Sequence, residues 1–482
     1  MTATDIRSGK FNLKLYVMLP VIVAITLFLW LVPTTFFGID GLTITEQRTI
    51  AIFVFAALMW MFEVIPTWTT SVLVIVIMLL TISDSSLPFL KADGVPGELG
   101  TLVSYKSLLA TFADPVIMLF LGGFVLAIAS SKYGLDVQLA RVLLKPFGKR
   151  SEFVLLGFLL VIGIFSMFMS NTATAAMMLT FLAPVLKTLP PDGKGRIALA
   201  LAIPIAANIG GIGTPIGTPP NAIAFGYLND TLHLGVTFAD WMKIMVPYVF
   251  VMLLFAWGVL LWLYPFKQKT IELKIEGGHE RTWRTYVVWV TFGLTILLWV
   301  LESVVGINSY VVAMIPVGVF CVTGVIKEED LKDINWSVLW MVAGGFALGL
   351  ALNATGLAEH LVSSIPFGEW LPLVVVLVAG FIGYFISNFI SNTAAASLIV
   401  PILSAVGVGM GEALLPVGGL KVLLVGAVLC TSLAMLFPIS TPPNALAHST
   451  GLVTTKDMTK VGIIIGAVGY VIGYLVLFFI GI

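Results

Sequence analysis

Residues 210–222 read Gly210-Gly211-Ile212-Gly213-Thr214-Pro215-Ile216-Gly217-Thr218-Pro219-Pro220-Asn221-Ala222, in the middle of the apolar run 197–228. The run is long enough to cross a bilayer, for which about 20 apolar residues suffice. It cannot be one unbroken helix, because Pro lacks an N–H and clashes with the preceding turn. Its glycines let the backbone come close to a neighbour or a ligand. After Phe437-Pro438-Ile439-Ser440 the end of this stretch recurs as Thr441-Pro442-Pro443-Asn444-Ala445, at an offset of 223. Irregular backbone at membrane depth survives only where protein buries it or where it lines a wet cavity.

Two further pairs flank these breaks. Gly122-Gly123-Phe124 matches Gly344-Gly345-Phe346 at an offset of 222, and Ser170-Asn171-Thr172-Ala173 matches Ser391-Asn392-Thr393-Ala394 at 221. Three collinear matches at one period indicate an internal duplication. The chain crosses the membrane an odd number of times between equivalent points, so the copies are inverted. Inverted repeats with interrupted hydrophobic segments at matching positions point to a secondary transporter, with its site near the midplane. A duplicated scaffold with no transport role would carry the same repeat.

Composition fits this reading. Of the 482 residues, 59% are apolar and 10% charged, against about 25% charged in soluble domains. A soluble enzyme is excluded. The 25 basic and 25 acidic residues cancel, so nothing argues for nucleic acid. Cys321 and Cys430 lie in separate apolar runs and read as buried small hydrophobes. The expected fold is an all-α polytopic membrane protein with eleven transmembrane helices, near 15–36, 49–65, 67–83, 113–131, 197–228, 242–265, 286–301, 309–326, 335–355, 422–450 and 461–482. The run from Tyr16 follows Arg7 and Lys10 but is too long for a signal peptide. Residues 153–186 and 371–410 are too long for one crossing and are broken by Ser-Asn-Thr near their middles. They read as re-entrant hairpins, although two crossings each would preserve the parity. The domain boundaries follow as 1–48 for the tail and first span, 49–265 for the first repeat, 266–285 for a cytoplasmic linker and 286–482 for the second repeat. Runs 134–148 and 356–368 are short and amphipathic, as helices lying along the membrane surface would be. With the N-terminus inside, 20 Lys and Arg fall on the cytoplasmic side and five outside (Arg48, Lys91, Lys106, Lys243 and Lys421). The positive-inside rule favours that orientation, which leaves the C-terminus outside.

The chemistry follows from what these segments lack. Between 153 and 186, 197 and 229, 371 and 411, and 422 and 455 there is no Asp, Glu, Lys or Arg. A site built here has no carboxylate for a metal and no Arg clamp for an anion. Ser, Thr, Asn and freed carbonyls supply neutral oxygens suited to a hard monovalent cation such as sodium. The same Asn and Thr side chains offer donors to a carboxylate, and helix N-termini hold anions through N–H groups and the dipole. A bound cation would supply the charge that an anion needs in low dielectric, which couples the two. The GxG patterns follow no strand and lack a P-loop Lys, so they are not nucleotide loops. Asp114 reads as a helix cap beside Pro115, and His448 as a hydrogen-bonded helix residue or a pH sensor. An ion channel would not need the inverted breaks, and an embedded enzyme would want an intramembrane acid, base or metal set.

The paired Ser-Asn-Thr and Thr-Pro-Pro-Asn motifs resemble those of the divalent anion/sodium symporter family, the bacterial relatives of sodium/dicarboxylate and sodium/citrate cotransporters. The resemblance covers essentially the whole chain. It implies a homodimer in the bacterial inner membrane, with scaffold and transport domains and an elevator mechanism. It implies sodium ligands at Ser166, Ser170, Asn171 and the backbone of Gly217, and at Ser387, Asn392 and the backbone of Ile390 and Ser440. It implies substrate contacts from Asn171, Thr172, Thr218, Ser391, Asn392, Thr393, Thr441 and Pro442. Intact Ser-Asn-Thr motifs resemble those of di- or tricarboxylate carriers more than sulfate carriers. The expectation is sodium-coupled symport of succinate, fumarate or malate, with co-transported sodium and no organic cofactor. Sodium-independent exchange of dicarboxylate or citrate on the same fold is the alternative.

Overall fold

A computed structural model describes residues 14–91, 98–187, 189–190, 193–271, 282–364 and 370–480. Arg7 and Lys10 of the tail, and Lys274 and Arg281 of the linker, lie outside the described residues. The main helices are α1 (Leu19–Leu31), α2 (Ile44–Phe62), α3 (Thr67–Thr81), α4 (Pro115–Lys132), α5 (Leu135–Leu144), α6 (Ser151–Phe168), α7 (Asn171–Lys187), α8 (Lys194–Gly211), α9 (Pro219–Gly226) and α10 (Phe238–Leu263). They continue with α11 (Trp283–Val300), α12 (Ser309–Val322), α13 (Trp336–Ala354), α14 (Leu357–Ser364), α15 (Pro372–Ser387), α16 (Asn392–Met410), α17 (Gly419–Ser432), α18 (Pro442–Ser449) and α19 (Thr455–Ile480). No named strand occurs among the described residues; two isolated bridges are the only extended pairings. Eight described helical segments are long and apolar enough to cross a membrane.

The expected interruptions are present. The run 153–186 divides into α6 and α7 at Met169 and Ser170, and 371–410 divides into α15 and α16 between Asn388 and Ser391. The run 197–228 becomes α8 and α9, and 422–450 becomes α17 and α18, each pair separated by the Pro-containing turn. The amphipathic runs form α5 and α14. Asp114 caps α4, its carboxylate accepting from Val116 N–H at 2.9 Å. Cys430 is buried as expected, whereas Cys321 is exposed. It lies beside the exposed Val322 near the end of α12, outside the packed core.

Two compact units emerge. The first, Met1–Ala113 with Trp340–Glu369, contains α1 to α3 and α14. Its Leu42, Leu352 and Leu357 form a small core with Phe37, Ile39, Ile50, Phe53 and Leu361. Gln47 Nε2 donates to Leu29 O at 2.9 Å and Val32 O at 2.6 Å, satisfying carbonyls at the end of α1. Gly344 packs on Ser71 of α3, where an added Cβ would lie 2.5 Å from the Ser71 Cβ.

The second unit, Asp114–Leu339 with Trp370–Ile482, holds both hairpins and both broken helices. The arms α6 and α15 pack extensively on α8 and α17 respectively. The second arm of each hairpin reaches the broken helix of the other half: α7 packs on α18, and α16 packs on α9. Gly122 of α4 packs on the Ala313 backbone of α12.

Candidate functional site

Each hairpin and its neighbouring helix end together. Ser166 lies in the last turn of α6, and its hydroxyl donates to Ala207 O, near the end of α8, at 2.8 Å. Ser387 closes α15, and its hydroxyl donates to Thr431 O, near the end of α17, at 2.9 Å. The C-terminal end of a helix carries partial negative charge and unsatisfied carbonyls. Both serines therefore stand where a cation is favoured.

The first cluster is the tighter. The Asn171 carboxamide sits 2.5 Å from Ser166 Oγ, 3.1 Å from Gly217 O and 3.2 Å from Ala207 O. With Nδ2 turned toward them, the amide donates to these oxygens. With Oδ1 turned toward them, four neutral oxygens converge around the single Ser166 hydroxyl proton, which Asn171 Oδ1 and Ala207 O both face, and a cation offsets the remaining repulsion. Gly211 makes room for this arrangement, since a Cβ there would lie 2.7 Å from Asn171 Oδ1. Thr214 Oγ1 donates to Met167 O and pins the turn to the end of α6.

In the second cluster Asn392 Oδ1 accepts from Ser387 Oγ at 2.8 Å. Ser440 Oγ donates to Asn388 O at 3.0 Å and accepts from Phe437 N–H at 3.2 Å. Asn388 Oδ1 in turn accepts from Leu436 N–H at 3.0 Å. Ile390 is buried at the tip.

The two Pro-containing turns are held alike. Asn221 Nδ2 donates to Ile212 O at 3.2 Å and Thr214 O at 2.8 Å. Asn444 Nδ2 donates to Met435 O and Phe437 O, both at 3.0 Å. Donor and acceptors all shift by 223 residues, so each Asn of Thr-Pro-Pro-Asn is the side chain that shapes its own turn.

Donors for an anion come from the hairpin tips. Among the described residues no acceptor is found for the backbone N–H of Asn171, Thr172, Asn392 or Thr393, at the N-termini of α7 and α16. The broken helices α9 and α18 contribute less than expected from the sequence. Pro219-Pro220 and Pro442-Pro443 occupy their first two positions and carry no N–H. Asn221 N–H is taken by Thr218 O at 3.1 Å, and Asn444 N–H by Thr441 Oγ1 at 3.3 Å. Their substrate groups are the side chains: Thr218 and Thr441 are buried, while Pro442 is exposed. Ser391 also caps α16, accepting from Ala394 N–H at 3.3 Å, whereas Ser170 contributes its carbonyl to Thr174 N–H at 2.9 Å.

All of these residues belong to one unit. Helix C-termini gather the oxygen clusters and helix N-termini face the tips, which separates cation-binding from anion-binding groups without any fixed charge. Sequence reasoning missed Ala207 and Thr431, whose carbonyls carry no side-chain signal, and also Asn208 and Asn388. His448, in α18, lies 3.4 Å from the Thr455 hydroxyl.

The family model described as "Citrate transporter" matches residues 57–418. A sodium-dependent dicarboxylate transporter, SdcS, of Staphylococcus saprophyticus is 30% identical over 92% of this chain and 87% of its own length. An uncharacterized transporter of Haemophilus influenzae is 33% identical over 88% of this chain and 89% of its own. Among solved structures, the YdaH transporter of Alcanivorax borkumensis aligns over 78% of this chain and 87% of its own with a TM-score of 0.53. At 14% identity that likeness speaks to fold alone.

Proposed function

This chain belongs to the citrate transporter family, and from that premise we propose that it is a sodium-coupled symporter of C4-dicarboxylates such as succinate, fumarate or malate. It is a transporter and not an enzyme. The name of the S. saprophyticus relative supports sodium and a dicarboxylate as the transported pair. The observation that carries the reading is the Asn171 carboxamide among Ser166 Oγ, Gly217 O and Ala207 O. With Oδ1 inward, four neutral oxygens meet there, Ser166 Oγ and Ala207 O near helix C-termini and Gly217 O in the turn before α9, and such a set suits sodium.

In this reading Ser166, Ser170, Asn171 and Gly217 hold one sodium, with Ala207 added. Ser387, Ile390, Asn392 and Ser440 hold another, with Thr431 added. The substrate carboxylates meet the free N–H groups at the tips and the side chains of Asn171, Thr172, Thr218, Ser391, Asn392, Thr393 and Thr441, beside Pro442. Sodium offsets the carboxylate charge, so each is bound poorly alone.

The two halves act as inverted repeats, the first within 49–265 and the second within 286–482. Because the site lies within one unit, that unit can carry it as a transport domain in an elevator movement. The resemblance further implies a homodimer in the bacterial inner membrane, N-terminus in the cytoplasm and C-terminus outside.

Succinate uptake into proteoliposomes, with sodium replaced by potassium or choline, tests the coupling. Uptake should fall to background, and unchanged uptake would refute it. One observation favours an exchanger instead: with Nδ2 turned inward, Asn171 satisfies its three oxygens without a cation. An exchanger would need succinate inside the vesicle and ignore the external cation.

A further inference from the structure

The proposed site makes no use of Asn208, which is 2% exposed in α8. It is the only polar side chain between Ile197 and Gly211. Such a group stays buried only when hydrogen-bonded. Its Nδ2 lies 3.1 Å from Thr441 Oγ1 and 3.2 Å from Asn444 Oδ1.

The direction of these bonds is fixed by a chain of groups with no choice. Asn444 Nδ2 faces the carbonyls of Met435 and Phe437, so it must donate there. Asn444 Oδ1 is then an acceptor, and the group facing it must be the Asn208 NH2. The Asn444 backbone N–H can only donate, and it meets the same Thr441 Oγ1 at 3.3 Å. Thr441 Oγ1 thus accepts two hydrogen bonds, which uses both of its lone pairs. Among the described residues no acceptor is found for its hydroxyl hydrogen.

We infer that Asn208 is a positioning residue that makes Thr441 a donor-only hydroxyl. The second break then greets an anion oxygen and turns a cation away. This rests on the substrate site proposed above and deepens it by giving one break the task of anion selection.

The other half lacks the device. Ser166 and Ser387 donate to Ala207 O and Thr431 O, which makes Ala207 and Thr431 equivalent and places Ser432 where Asn208 stands. Ser432 is too short to repeat the bridge. Its Oγ and Asn221 Oδ1 are both buried without a partner. Thr218, the counterpart of Thr441, caps nothing with its side chain. Its hydroxyl keeps both roles, so the first break can serve either ion.

The test begins with thermal stabilisation of wild-type protein by succinate, citrate and sulfate in sodium and in potassium. The anion that stabilises it is used thereafter. Asn208→Ala, Thr441→Val and the double variant are then titrated with that anion and with sodium. Asn208→Ala should raise the anion half-saturation about tenfold, the loss of one hydrogen bond to a charged group, and leave unchanged the half-saturation of sodium titrated without the anion. In the Thr441→Val background it should add less than about twofold, since the two act through one hydroxyl. The isosteric Asn208→Asp keeps the packing but offers Thr441 an acceptor, and should weaken the anion at least as much. Independent effects in the double variant, or equal shifts for anion and sodium, would make Asn208 a structural spacer and overturn the inference. If sulfate alone stabilises the wild type, the dicarboxylate reading fails while the Asn208 effect is still read on sulfate. If no anion stabilises it, both fail.

Discussion

The two Pro-containing turns do the same job with different residues. In the first, Thr214 Oγ1 donates to Met167 O at the end of α6. In the second, the equivalent carbonyl, Asn388 O at the end of α15, accepts from Ser440 Oγ. An offset of 223 puts Phe437 at the place of Thr214, and Ser440 at the place of Gly217. The fold requires that a buried carbonyl find a donor; it does not dictate which position supplies it. The choice has a consequence for the neighbours. Gly217, free of that duty, turns its carbonyl to Asn171, whereas Ser440 is bonded to the tip of its own hairpin. The same offset pairs Gly211 with Ala434, so the close approach to Asn171 belongs to the first half alone. Both clusters carry the same contact between serine and amide; the first adds Gly217 O and Ala207 O beside its amide, whereas Ser440 in the second is bonded to Asn388 and Phe437. Two sodium sites built on them should be unequal.

Removal of the central amide should separate the halves most. Asn171→Ala loses a ligand shared by three oxygens and a carboxylate donor, and should cut sodium-driven uptake by about 100-fold, the sum of two interactions with charged groups. Asn392→Ala, whose amide meets Ser387 Oγ but, among the described residues, no carbonyl, should cost about tenfold, as the loss of one interaction with a charged group. Equal losses in folded, inserted protein would erase the distinction, and full activity of both would remove the site. A smaller effect follows from space. Gly211→Ala puts a methyl group 2.7 Å from Asn171 Oδ1 and should raise the sodium half-saturation about tenfold through overpacking. Ala434→Gly in the other half should shift it by less than about twofold, since it relieves no such contact. The smallest effect is expected at the tips. Thr172→Ala and Thr393→Ala each remove a side chain and keep the backbone N–H, so the substrate half-saturation should rise about threefold with sodium dependence unchanged. A larger shift in sodium than in substrate would reassign both residues to the cation.

The interruptions were legible because polar and proline residues stand out in apolar runs, and because they recur. The hairpins, the broken helices and Ser166, Asn171, Ser387 and Asn392 all came from that signal or from the family pattern carried on it. Ala207 and Thr431 act through carbonyls, which no side chain announces. Asn208 and Asn388 were hidden for a different reason. A repeat reveals what two halves share, and their counterparts are Ser432 and Met167. A lone buried amide in the run 197–211 was the available signal, and attention to unmatched polar residues would have found it. The reduced donor capacity of α9 and α18 was implicit in Pro-Pro, but only the backbone bonds of Asn221 and the Thr441 hydroxyl make it plain.

On the proposed mechanism the protein supplies no charge to its substrate and sodium does. Succinate binding to purified protein, followed by thermal stabilisation in sodium and in potassium at equal ionic strength, tests it directly. Stabilisation that requires sodium and disappears in Asn171→Ala is the predicted result. Equal stabilisation in potassium, with Asn171→Ala unaffected, would contradict it.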